Sequence, residues 1–198
     1  MKKGLLLACL CMMLILTACA KESHASETSV IDDFFSAYLT QDFETAKNYI
    51  ASDDQVSFDS LQSLISDQKM NGIVLNHMTD MSYKVISTEE EGDQSTVQIR
   101  VIYRNAGGAF MNAIGTMYVD ASEGKLSNDD PDTINTYIKG LLYDHLDQEL
   151  ETMDRERTMT LVKEDDQWRI VLTEEIKNAL SANMLNAIEE LKIMGVQF

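Results

Sequence analysis

The first pattern along the chain is an apolar run from Leu5 to Leu16, preceded by Met1-Lys2-Lys3-Gly4 and followed, past Cys19, by the polar stretch Ala20 to Ser29. A cationic start, an apolar middle and small residues before a cut are the order of a secretory signal. The run is shorter than the roughly 20 apolar residues a spanning helix needs, and no second one follows. The spacing then turns helical. Val30, Ile31, Phe34, Phe35, Tyr38 and Leu39 fall on one face, with Ser29 as the expected N-cap and Asp32 and Asp33 in the first turn. Shorter helices are expected over 43–50 and 58–65. From Met81 the period becomes two. Met81, Tyr83 and Val85 alternate with polar residues, Glu89 to Asp93 make a turn, and Val97, Ile99, Val101 and Tyr103 alternate again. This predicts a hairpin with one buried face.

Asn105-Ala106-Gly107-Gly108 breaks the alternation, and a strand is expected over 114–119. Asp130-Pro131-Asp132 is the sharpest helix start, because Asp130 can cap and Pro131 needs no N–H partner there. Ile134, Tyr137, Ile138, Leu141, Leu142, His145 and Leu146 carry that helix onward to about Met153. A second hairpin follows, 158–163 and 167–172, turning at Glu164-Asp165-Asp166, with Trp168 expected to pack on the first helix near Phe34 and Phe35. Thr173 caps a last helix bearing Ile176, Ala179, Leu180, Met184, Ala187, Ile188 and Leu191, with Gly195 as its stop. The pattern reads as α+β: N-terminal helices on a curved antiparallel sheet, with an inserted helix and a C-terminal helix. Residues 1–18 form the expected signal, 19–28 a lipidated cysteine and tether, and 29–198 a single domain.

Leu16-Thr17-Ala18-Cys19 resembles the lipobox of bacterial lipoproteins. The resemblance implies that Cys19 becomes the first mature residue and carries a diacylglyceryl thioether with palmitate-class chains. Two chains, at about 0.8 kcal/mol per buried methylene, make a stable anchor where one is marginal. It further implies a location at the cell membrane, facing away from the cytoplasm. A second resemblance rests on Val30-Ile31-Asp32-Asp33-Phe34-Phe35-Ser36-Ala37-Tyr38-Leu39 and on Leu161-Val162-Lys163-Glu164-Asp165-Asp166-Gln167-Trp168-Arg169-Ile170. These stretches look like the opening helix and closing hairpin of the nuclear-transport-factor-two-like cone, in which a curved sheet wraps the first helix and leaves a pocket at its wide end. The inserted and C-terminal helices depart from that plan and stand where they could plug or cover the pocket.

Composition narrows the chemistry. Cys9 and Cys11 lie in the signal and Cys19 is the lipid site, so the domain has no thiol for a disulfide, a nucleophile or a thiolate metal site. Removing 1–18 takes two of the 16 cations and none of the 33 acids, moving the net charge from −17 to −19. Such an excess repels nucleic acid and anionic headgroups. Asn128, Asp130 and Asp132 have calcium-loop spacing, but Thr133 stands where the loop needs Gly and Lys139 where it needs Glu. His24, His77 and His145 show no ligand spacing and are read as tether, loop and helix residues. Met78, Met81, Met111, Met117 and Met184 read as adaptable core. No catalytic residue, cofactor or metal is assigned, although Asp32, Asp33 and His145 are the ionisable residues an enzyme would draw on. The expectation is a non-enzymatic domain that binds a protein partner or a small apolar ligand; the alternative is an enzyme of the cone fold using pocket carboxylates.

Overall fold

The computed structural model describes residues 26–64, 68–126 and 130–193. The chain runs α1 (Glu27–Leu39), α2 (Phe43–Lys47), a 3-10 turn (Ser52–Asp54), α3 (Gln55–Leu61), α4 (Gln68–Thr79), β1 (Met81–Glu91) and β2 (Gln94–Arg104). It continues with α5 (Ala106–Ser122), α6 (Pro131–Leu146), β3 (Thr152–Glu164), β4 (Gln167–Val171), α7 (Glu174–Leu180) and α8 (Met184–Ile193). The four strands make one antiparallel sheet in the order β1-β2-β3-β4, curved and unclosed, with helices packed on it. The α+β expectation therefore holds.

Alternation sets which face of the sheet is buried. Val97, Ile99, Val101 and Tyr103 of β2 and Met159 and Leu161 of β3 point inward, as do Trp168 and Ile170 of β4. Helix α1 lays Val30, Ile31, Phe34, Phe35 and Tyr38 against them, packing on both β1 and β4. Phe35 stacks on Tyr83 of β1 at 4.1 Å, and Phe34, Tyr38, Phe43 and Phe58 form a linked set of ring contacts. Trp168 is 5% exposed and belongs to this core, as expected.

Several boundaries differ from the sequence reading, each for a physical reason. Helix α1 starts earlier, because the Ser26 side chain rather than that of Ser29 caps it, accepting from Ser29 N at 3.3 Å. The expected strand over 114–119 is instead part of helix α5. Asn105 caps α5 by accepting from Gly108 N at 3.0 Å, and Ala109, Phe110, Ala113 and Ile114 form a buried helical stripe. Helix α6 ends at Leu146 rather than Met153, because β3 pairs with β2 in unbroken register from Arg104↔Thr152 to Gln94↔Val162 and draws Thr152 and Met153 into the sheet. Helix α4 was not expected, and it places His77 on a helix rather than a loop; Nε2 of His77 is 2.7 Å from the carbonyl of Leu146, which ends α6. The expected third helix spans Gln55–Leu61 and so starts before Phe58; Ile65, its expected end, lies outside the described residues.

The last helix is two. Ala182 and Asn183, both at positive φ, break it after Leu180. This break is pinned from several directions. Gly107 N donates to Ala182 O at 2.9 Å, Asn183 Nδ2 to Asn105 Oδ1 at 3.0 Å, and the buried Tyr38 hydroxyl to Leu180 O at 2.7 Å. Helix α7 packs on β3 and α8 on α5, so the C-terminal pair is built into the core. Gly195, the expected stop, lies outside the described residues.

Candidate functional site

Where β4 ends the sheet, the segment after α2 runs beside it as a short added edge. Ile170 N donates to Tyr49 O at 2.7 Å and Ala51 N donates to Ile170 O at 2.9 Å, a parallel bridge centred on Ile50. Trp168 and Ile170 face the core, so Gln167 and Arg169 face outward by alternation. Beside them stand Asn48, Tyr49, Ser52 and Gln55 from the helical side, and Glu164 and Asp165 from the β3–β4 turn. These eight residues line a cleft of about 490 Å³, within the range of ligand pockets.

The charged groups of the cleft divide into committed and free. Glu164 accepts from Ser52 N at 3.1 Å and from Ser52 Oγ at 2.7 Å, fastening the turn to the 3-10 segment. Arg169 donates to the neutral Gln167 Oε1 at 2.8 Å and meets no carboxylate at ion-pair distance among the described residues. Asp165 and Asp166 hold the two left-handed positions of the turn, at φ 49° and 59°, where Asp is among the tolerated residues. Lys163, one position before Glu164, is not available to the cleft, since it pairs with Glu90 at 2.9 Å and lies 4.4 Å from the centre of the Trp168 ring.

Two further ionisable groupings lie elsewhere. Between α5 and α6, the largely buried Asp120 accepts from Lys125 Nζ at 2.6 Å and from the Tyr137 hydroxyl. Hydrogen bonds from Lys125 and then Tyr137 hold the Asp120 carboxyl below its usual range, and the bond to Asp120 pushes Tyr137 up. Between α1 and β1, the Tyr83 hydroxyl donates to Asp32 at 2.9 Å; burial first, and this bond second, push Tyr83 up to about 12.

Of the residues singled out in the sequence, Cys19, His24 and Asn128 lie outside the described residues. Asp32 is exposed and occupied by Tyr83, while Asp33 is exposed beside it. His145 sits half-buried in the last turn of α6. The structure shows no hydrogen bond or ion pair joining these three. Asp130 caps α6, accepting from the backbone of Asp132 and Thr133, a structural role that accounts for its place in the failed calcium pattern. Met78 and Met184 are buried, and Met81, Met111 and Met117 pack on the core. Among the described residues no group of three or more His, Cys, Asp or Glu is arranged to hold a metal ion. Sequence reasoning missed the cleft. Its one local signal was Gln167 and Arg169 alternating with buried residues on the last strand of a sheet.

No protein-family model matches the chain. No curated protein matches it either. Among solved structures, it is similar to that of "a putative lipoprotein (ycdA)" from Bacillus subtilis subsp. subtilis str. 168, at 15% identity and a TM-score of 0.39. The match covers 72% of this chain and 44% of that one, so the chain spans less than half the length of the structure it matches.

Proposed function

We propose that the chain is a lipid-anchored lipoprotein, held at the cell membrane through Cys19, whose extracytoplasmic domain binds a ligand without transforming it. The address rests on Leu16-Thr17-Ala18-Cys19 behind a cationic and apolar start. No helix among the described residues is long and apolar enough to cross a membrane, so a covalent lipid is the attachment this reading requires. We place the domain in the cone family on the resemblance of stretches 30–39 and 161–170, with α1 lying across the sheet as that family's first helix does.

The observation that carries the binding half is the cleft between β4 and the segment 48–55. Its lining is amide, hydroxyl, phenol, guanidinium and the two carboxylates of Glu164 and Asp165, the chemistry of orientation by hydrogen bonds. General acid–base catalysis needs a proton donor and acceptor poised on one reacting atom. Here Glu164 is already engaged with Ser52, which leaves Asp165 as the one uncommitted carboxylate, and the lining contains no histidine to act as its acid or base counterpart. That favours binding over turnover.

A thermal-shift screen of polar small molecules against the full chain in detergent tests this reading. A ligand at 100 times its Kd stabilises by about 2.7 kcal/mol, and the expected shift is lost in the double variant Asn48→Ala, Gln55→Ala. Ligands that shift native and variant chains equally would move the binding site elsewhere and sink the assignment.

A further inference from the structure

The cleft holds two charged groups of opposite sign that its own structure leaves uncommitted. Arg169, half-buried on β4, has only the neutral Gln167 oxygen as partner, and Asp165 has no hydrogen bond or ion pair among the described residues. They do not neutralise each other, since no ion pair joins them. Glu164, the third charge, is satisfied by Ser52 from both its N–H and its hydroxyl.

We propose, resting on the reading of this cleft as a ligand site, that its ligand is zwitterionic: an α-carboxylate seated on Arg169 and an α-ammonium on Asp165, as in a short peptide with free ends or an amino acid. A guanidinium matches a carboxylate with two parallel charge-assisted bonds. A neutral sugar would suit the amides of Asn48, Gln55 and Gln167 but would cover both charges without a counter-charge, which is costly. A simple anion is opposed by the field of a chain with net charge −17, and a simple cation is drawn to every part of that surface alike. A zwitterion carries no net charge, so the long-range field neither repels nor misdirects it, and only the local arrangement of Arg169 and Asp165 selects it. The same lining holds the side-chain amides of Asn48, Gln55 and Gln167, groups of the kind that bond peptide N–H and C=O.

The test is calorimetric titration of the full chain in detergent with trialanine, its C-terminal amide, its N-acetyl form and free alanine. Trialanine binds, and blocking either end weakens it about tenfold or more, the loss expected for one charge-assisted bond. Arg169→Gln weakens trialanine to the level of its amide and erases the difference between the two. Asp165→Asn does the same for the acetyl form. Both variants keep the native melting temperature, because neither side chain supports the core. Alanine binding as tightly as trialanine identifies an amino acid as the source, and a preference for trialanine identifies a peptide. Equal binding of free and blocked peptides, or no heat from any of the four probes, overturns the proposal. If polar ligands from the screen still depend on Asn48 and Gln55, only this ligand class fails; if they do not, the cleft reading fails with it.

Discussion

Gly107 shows how a single hydrogen in place of a methyl can organise two distant parts of the chain. A Cβ there would lie 2.2 Å from the backbone oxygen of Asn183 and 2.5 Å from its carbonyl carbon. Backbone cannot swing aside as a side chain can, so the α7–α8 break would have to move and with it the bonds it receives from Gly107 and Tyr38 and the one that Asn183 donates to Asn105. Gly107→Ala is expected to cost about 1–3 kcal/mol through overpacking. Gly115, in the same helix α5, has nothing within 4 Å of its added Cβ, and Gly115→Ala should gain up to ~1 kcal/mol in helix propensity. Urea midpoints of the two variants decide the matter; equal midpoints would show that the contact at Asn183 does not constrain the fold. Tyr83 supplies a second residue-level test. With its pKa raised to about 12 by burial and by Asp32, the folded chain holds the phenolic proton more tightly than the unfolded one. Its stabilising contribution is therefore complete below the unfolded value near 10 and is lost as pH rises from there toward 12. Spectroscopic titration should place Tyr83 in that upper range, identified as the tyrosine whose titration Asp32→Asn brings down.

The sheet register explains why some elements were legible and others were not. Strands β1 and β2 announce themselves through Tyr83, Val97, Ile99, Val101 and Tyr103, because one face meets the core and the other meets water. The start of β3 gives no such signal: Asp154, Arg155 and Glu156 are exposed in sequence, and the strand is fixed there by its pairing with β2. Helix propensity after Leu146 loses to that ladder, a tertiary effect that local pattern cannot report. Helix α4 buries Met70, Val74 and Met78 at helical spacing, yet Gly72 and the asparagines between them mask the stripe. The cleft was invisible for a different reason, since it joins residues 48–55 to 164–169 through backbone pairing at Ile170. The same elements hold acids whose titration can be predicted. Arg100 keeps Asp154 below the usual carboxylate range, and hydrogen bonds from Thr133 do so for Asp130 at the start of α6. Depressed folded values mean that this stability is present above the unfolded pKa, about 3.9, and is lost as pH falls through the lower folded one. Asp154→Asn and Asp130→Asn should each lower the melting temperature at neutral pH, with the gap to the native chain closing in acid. A gap that stays constant with pH would show that neither charge matters to folding.

On the scale of the whole molecule, the proposed anchor and the charge act in opposite senses. A chain of net charge −17 is repelled by anionic headgroups, and no helix among its described residues can span a bilayer. In the proposed reading attachment depends on the lipid at Cys19, only seven residues before the Ser26 cap of α1. Seven residues reach at most about 25 Å when fully extended, so α1 and the sheet edge beside it stay near the surface they are repelled from. That balance separates a lipid anchor from adsorption. High salt screens the repulsion and any surface attraction alike, but it leaves two buried acyl chains in place. The native chain should therefore take up labelled palmitate, lose residues 1–18 and remain with membranes through a high-salt wash. Cys19→Ala has no sulfur to form the thioether, and should stay unlabelled and unprocessed. An unaltered melting temperature of Cys19→Ala checks that the loss is one of attachment and not of folding. Membrane-bound, normally shortened and labelled Cys19→Ala protein would remove the anchor from this site.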